Sequence, residues 1–257
     1  MKWPKAVKNP IKKTFNSIGY NIHKIMPVHE FPLDFDQTEI EDVRSVRPYT
    51  MTSALQIISM FDAIKYICAN KIGGSIVECG VWKGGSMMIA ARVLKRQNGM
   101  NRDLYLFDTF AGMPEPGKED TAYKDFNAPV LWKTNQSKSG PNQWNYGSLE
   151  EVRANVASTG YPMERVHFVK GKVEDTIPGT IPERIAILRL DTDFYESTLH
   201  ELKHLYPRLT PGGILIIDDY GCWKGARKAT DEYIAEHKLP IFLARQDQEG
   251  RIAIKPY

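Results

Sequence analysis

The stretch Ser75-Ile76-Val77-Glu78-Cys79-Gly80-Val81-Trp82-Lys83-Gly84-Gly85-Ser86 decides the fold. An apolar run of strand length ends in an acid and a glycine-rich turn, and a helix is predicted from Ser86 to Gln97. Upstream, Ala54, Ile57, Phe61, Ile64 and Cys68 recur at steps of three and four, an amphipathic helix closed by Gly73-Gly74. Downstream, strand-like runs at Asp103–Asp108, Arg165–Val169, Ile185–Leu190 and Gly213–Ile217 alternate with helical ones near Ser197–Leu209 and Ala226–His237. The chain closes with Ile241–Ala244 and Arg251–Ile254, a hairpin joined by Gln246–Gly250. Continuous Val/Ile/Leu strands alternating with helices imply a mostly parallel, seven-stranded α/β sheet covered on both faces, with a C-terminal antiparallel hairpin.

Composition narrows the class. The 257 residues are 42% hydrophobic, 11% aromatic and 25% charged, an ordinary globular balance. The net charge of +3 gives no basis for binding nucleic acid. Three cysteines, Cys68, Cys79 and Cys222, form no CxxC pair, so a reducing cytoplasmic setting is expected. Apolar runs are strand-sized and too short to span a bilayer.

Two segments break the regular spacing. Residues 1–29 carry six lysines and no acid, and residues 30–42 carry six acids and no base. The boundary between this basic arm with its acidic linker (1–44) and the folded domain (45–257) is placed at residue 44. The arm suits either a solvated tail or a weak peripheral hold on an anionic membrane face, with Trp3, Ile11, Phe15 and Ile18 dipping in. The second segment, 110–147, holds four prolines and the aromatics Tyr123, Phe126, Trp132, Trp144 and Tyr146. A long aromatic-rich segment inside a compact domain is expected to be a lid or binding loop.

In parallel sheets ligands lie beyond the carboxyl ends of the strands, so the residues that end each strand are the candidates. The Glu78-x-Gly80-x-x-x-Gly84 turn lacks the G-x-G-x-x-G dinucleotide fingerprint and has the form used by S-adenosylmethionine sites. Asp108 ends the second strand, where a carboxylate suits a ribose diol. Glu174 and Asp175, after the third strand, suit either an adenine edge or a helix amino-end charge. Asp191-Thr192-Asp193 and Asp218-Asp219 end the fourth and fifth strands. Four such carboxylates repel one another unless a cation such as Mg2+ joins them, or unless they cap helices or pair with Arg189 or Arg227.

Glu78–Gly85, Asp108-Thr109-Phe110-Ala111-Gly112-Met113-Pro114, Asp191-Thr192-Asp193 and Tyr206–Gly213 with Asp218-Asp219-Tyr220 together resemble the macrocin O-methyltransferase family over residues 45–257. The resemblance implies a Rossmann-like class I methyltransferase fold and transfer of a methyl group to sugar hydroxyls. It implies that Asp191, Asp218 and Asp219 bind Mg2+, with Asp191 also serving catalysis, and that Asp193 is the general base. It places Thr50, Met51, Glu78, Cys79, Gly80, Val81, Trp82, Ser86, Asp108 and Thr109 along S-adenosylmethionine. Vicinal sugar oxygens on Mg2+ would be acidified together, and Asp193 would take the proton as oxygen attacks the methyl.

The partner expected is a small-molecule or glycan acceptor with vicinal hydroxyls; the sequence leaves a homo-oligomer open. Alternatives are methylation of a catechol or other phenol, and a non-catalytic, membrane-associated module of the same fold. His200-Glu201-Leu202-Lys203-His204 matches the H-E-x-x-H zinc motif. Its histidines, however, are expected to face away from the Leu199, Leu202, Tyr206 and Leu209 stripe, towards solvent.

Overall fold

The computed structural model describes residues 31, 33–123 and 127–257. The chain divides into two units, Met1–Asp36 and Gln37–Tyr257. The arm at 1–29, with its expected membrane contact, lies outside the described residues, as does Phe126.

The second unit opens with α1 (Gln37–Val46), not with a linker reaching residue 44. Val43 and Val46 are buried, and Asp42 pairs with Arg92 and Arg96, so this acidic stretch has apolar and cationic partners that hold it in the fold. Helix α2 (Ala54–Ala69) starts at a capping box in which Ser53 and Gln56 satisfy each other's backbone N–H. Its apolar positions Ile57, Phe61 and Ile64 are buried.

Strand β1 (Ser75–Cys79) leads into α3 (Gly85–Arg96), then β2 (Leu104–Asp108). Two short helices follow, α4 (Ala128–Thr134) and α5 (Leu149–Ala157), then β3 (Val166–Lys170) and the single turn α6 (Val173–Thr176). The last elements are β4 (Ile185–Leu190), α7 (Tyr195–Leu205), β5 (Leu209–Ile217), α8 (Lys224–Glu236), β6 (Ala244–Arg245) and β7 (Arg251–Ile254). They form one seven-stranded sheet in the order β3-β2-β1-β4-β5-β7-β6. Strands β1 to β5 are parallel and the final pair runs antiparallel. The strand order reverses between β1 and β4, and the site lies at that switch point.

One sheet face is sealed by Val77, Cys79, Leu188, Leu190, Leu215 and Ile217 against Leu202 and Leu205 of α7 and Tyr233 of α8. Burying each large side chain of this kind contributes about 1.5–3 kcal/mol.

Several boundaries differ from expectation; β5, expected from Gly213, starts at Leu209. The strand expected at Ile241–Ala244 is a two-residue pairing at Ala244–Arg245. Leu239, Ile241 and Leu243 pack on the core, whereas Phe242 is 83% exposed, so the alternation is real but carries no ladder. The helix expected to run to Leu209 stops at Leu205 and tightens into a 3-10 turn at Tyr206–Arg208, because Pro207 has no N–H to donate.

Candidate active site

A cavity of about 490 Å³ opens at the carboxyl ends of β1, β2, β4 and β5. On one side lies the turn after β1. Gly80 has φ +81°, and a Cβ there would stand 1.9 Å from the Asp191 carbonyl oxygen. Only glycine lets the two strand ends meet this closely. Asp108 organises the same turn: one carboxylate oxygen accepts from the N–H groups of Val81 (2.7 Å) and Trp82 (3.1 Å), and the other from Phe110 N–H (2.7 Å) and the Thr109 hydroxyl (3.4 Å). A carboxylate offers about four lone-pair sites, and the single Thr109 proton lies nearer the Gly112 carbonyl (2.8 Å), so Asp108 keeps acceptor capacity towards the cavity it lines. Burial raises its pKa and those backbone donors pull it back.

Glu78 lines the cavity from β1, and its Oε2 has no hydrogen-bond partner. Burial pushes its pKa up to about 7 against the pull of Arg189. Thr50, Met51, Thr52 and Ser53 roof this end. Arg47 donates to the Thr52 carbonyl at 2.8 Å, and the Ser53 hydroxyl donates to Asp247 in the β6–β7 turn.

The other side is built by sheet pleat. Glu78 and Arg189 are register partners on β1 and β4, and Arg189 is the partner of Ile216 on β5. Asp191 and Asp218, each two residues further along, therefore project on the same face. Arg189 Nη1 donates to Glu78 and to Asp191 at 2.6 Å each; Nη2 donates to Asp218 at 2.5 Å and to the Thr52 hydroxyl at 2.8 Å. Burial alone would lower the pKa of Arg189, but the three carboxylates outweigh it and hold the guanidinium charged. The pairing expected for Arg227 is not made with these acids; it pairs with Asp231.

Asp193 sits at φ +64°, a left-handed conformation that Asp tolerates better than most residues. Its N–H donates to Asp219 at 3.0 Å. Burial, then the charge of Asp191, raises the Asp193 pKa to about 8, while the Asp219 carboxyl and Trp223 indole beside it pull it down. Asp191 and Asp219 are also raised by burial and by their acidic neighbours. Ligand oxygens of Asp191, Asp218 and Asp219 lie within 4.8 Å of one another.

Most of the expected residues meet in this cavity: Thr50, Met51, Glu78, Gly80, Val81, Trp82, Ser86, Asp108, Thr109, Glu174 and all four strand-end aspartates line it. Two do not. Cys79 points to the opposite face, into the core beneath α7, because strand side chains alternate. Asp175 is exposed on the short α6 turn, outside the lining. Sequence reasoning missed Thr52, Ser53, Gln56, Leu131 and Trp223; Met113, Leu131 and the loop aromatic Trp144 form an apolar wall with Cys222 and Trp223. Within that wall Trp144, Phe194 and Trp223 pack edge to face or tilted, with ring centroids 5.5–6.2 Å apart.

In the H-E-x-x-H segment, His200 Nε2 lies 2.9 Å from the Ile177 carbonyl oxygen and its ring packs on His204 at 4.4 Å. Glu201 points the other way, fully buried, and accepts from the Thr192 hydroxyl at 3.0 Å. The motif's glutamate and its histidines face opposite sides of α7, so they form no common metal site.

The family model for macrocin O-methyltransferases (TylF) matches residues 10–253, reaching well upstream of residue 45. The chain belongs to the macrocin O-methyltransferase family. It is 36% identical over 202 residues to the 8-demethyl-8-(2,3-dimethoxy-alpha-L-rhamnosyl)-tetracenomycin-C 4'-O-methyltransferase of Streptomyces olivaceus, covering 79% of this chain and 74% of that one. It is 30% identical to the demethyldecarbamoylnovobiocin O-methyltransferase of Streptomyces niveus, covering 84% and 81%. Among solved structures, the O-methyltransferase NovP superposes with a TM-score of 0.71 at 29% identity, covering 81% of this chain and 83% of that one. This member of the family is thus an O-methyltransferase with a Rossmann-like sheet. Among the described residues, no helix of this O-methyltransferase is long and apolar enough to cross a membrane.

Proposed function

We propose that this O-methyltransferase transfers the methyl group of S-adenosylmethionine to a hydroxyl of a sugar carrying a vicinal diol, with Mg2+ held by Asp191, Asp218 and Asp219. The observation that carries this reading is the placing of Asp193 in one cavity lined both by the Glu78–Ser86 turn and by the strand-end carboxylates. A relative named for methylating a rhamnosyl group supports a sugar acceptor.

The donor set suits a hard divalent cation. Arg189 takes Oδ2 of Asp191 and Oδ1 of Asp218, so each keeps a second oxygen to offer beside Asp219. Arg189 pairs with Glu78, Asp191 and Asp218, so one guanidinium faces three carboxylates with Asp193 and Asp219 beside them, more acid than it can compensate. A cation bound there supplies positive charge that makes a nearby hydroxyl more acidic.

The methyl donor is a cosubstrate, and the chain's residues divide the work of holding it. Glu78, with its free Oε2, is placed to accept from the ammonium of the methionyl end, and residues 50–53 cover that end. The Gly80–Trp82 backbone, fixed by Asp108, forms the floor. Lys172 and Glu174 border the far end, where the adenine would lie. Met113, Leu131, Trp144 and Trp223 form the acceptor wall, so segment 110–147 shapes specificity. Asp193 accepts the hydroxyl proton as the new C–O bond forms and the sulfur–methyl bond breaks. The products are a methyl ether, S-adenosylhomocysteine and a protonated Asp193 carboxyl.

The test combines titration calorimetry with transfer of labelled methyl to a panel of rhamnosides and catechols. Asp193→Ala is expected to bind S-adenosylmethionine normally while losing about 10²–10⁴-fold in turnover. Near-normal turnover would remove its role as base, and methylation of catechols alone would replace the sugar acceptor.

A further inference from the structure

Arg189 has no place among the groups that touch donor or acceptor, yet its four hydrogen bonds span the site. Each terminal nitrogen divides its donors between the two halves of the cavity. Nη1 serves Glu78 on the donor side and Asp191 on the carboxylate side; Nη2 serves Thr52 in the donor roof and Asp218 on the carboxylate side. The planar guanidinium, 2% exposed, has no room to satisfy these groups in a second arrangement without leaving one of them unpaired.

We infer that Arg189 is a positioning residue that couples the two sites, so that a divalent cation on the carboxylates tightens binding of the methyl donor. The inference rests on the donor and cation sites proposed above. When a cation draws charge from Asp191 and Asp218, those carboxylates become weaker acceptors for Arg189. The guanidinium then bonds more strongly to Glu78 and Thr52, which firms the wall and the roof of the donor pocket. Thr52 transmits this along residues 50–53, since its carbonyl is already held by Arg47 and its neighbour Ser53 is bonded to Asp247. Coupling of this kind is reciprocal, so the donor must tighten the cation by the same factor.

The decisive measurement is calorimetric titration of S-adenosylhomocysteine into chelator-treated protein, with and without MgCl2, and of MgCl2 with and without S-adenosylhomocysteine. For the unaltered protein, each ligand is expected to tighten the other by at least about five-fold, the lower end of ordinary coupling between sites. Thr52→Val keeps the shape of the roof and all three carboxylate bonds of Arg189 but removes the hydroxyl. It is expected to bind both ligands with the coupling ratio clearly reduced, the remainder being carried by Glu78.

Arg189→Lys keeps the charge but lacks the fork needed to bridge four acceptors, and is expected to lose the coupling. Should that variant fail to fold, Thr52→Val alone decides. Coupling undiminished in Thr52→Val, or two ligands that bind the unaltered protein independently, would overturn the inference while leaving the proposed function intact. Failure of S-adenosylhomocysteine to bind at all would overturn the proposed function and the inference with it.

Discussion

The turn after β1 and the ends of β4 and β5 line one cavity but are stabilised in opposite ways. In the turn, a single carboxylate, Asp108, is surrounded by N–H and O–H donors. At the strand ends, carboxylates outnumber their donors, and the deficit is met by one guanidinium and by raised pKa values. The first region is held by donors of the chain itself. The second is balanced either by protons or, as proposed above, by a cation, which is the contrast expected between a floor that shapes a pocket and a centre for chemistry.

The largest effect should come from supplying the missing charge. At 100 times its dissociation constant, Mg2+ should add about 2.7 kcal/mol to the folded state. For a domain of this size that is a rise of roughly 5–10 °C in Tm by calorimetry. An unchanged Tm would mean that protons alone complete the cluster. The metal-free protein should also show the proton's share in its pH dependence. Asp193 is raised in the fold, so the neutral carboxyl favours folding. That stability is fully present below the carboxyl's unfolded pKa, near 4, and is lost as pH rises towards about 8. Urea melts across this window should show the decline, and saturating Mg2+ or Asp193→Asn should flatten it. A flat profile in the metal-free protein would break the contrast between the two regions.

A smaller effect is expected on the completed side. Asp108→Asn leaves one acceptor oxygen where two were used, so part of the Val81, Trp82 and Phe110 set loses its partner. S-adenosylhomocysteine should weaken by about ten-fold, the cost of one such bond, with Mg2+ affinity unchanged. Loss of Mg2+ binding in that variant would show that the regions are not separable in this way. The smallest effect belongs to His204, partly exposed on α7 with its ring against His200. His204→Ala should change stability by less than about 0.5 kcal/mol and leave methyl transfer untouched. Zinc-dependent activity lost in that variant would revive the H-E-x-x-H motif.

How much of this was legible in the sequence follows from what periodicity encodes. The strands of the sheet and the aspartates that follow them are legible because apolar runs mark the strands and each aspartate lies at the end of one. Arg189 was visible only as one of several partners for those acids. Its bonds to Glu78 and Thr52 depend on β4 lying beside β1, an adjacency that strand patterns do not state. Cys79 was assigned to the wrong face, although alternation from Glu78 gives the right one. Helix α4 was hidden by the prolines of segment 110–147, yet Asn127 caps it and Pro129 sits in its first turn, a recognisable start signal. The short β6 ladder could not be separated from its longer apolar alternation, since packing and pairing leave the same pattern.

The aromatic wall has an optical consequence. Trp223 and Trp144 pack with ring centroids 6.1 Å apart, and both line the cavity that holds Asp193 and the other strand-end carboxylates. Indole emission depends on the charge and packing around the ring. The enzyme therefore carries fluorophores in the wall of its own cavity, whereas Trp132, bonded to the Met113 carbonyl, lies outside that lining and supplies a steadier background. Charge and occupancy in the cavity can be followed by light without a label.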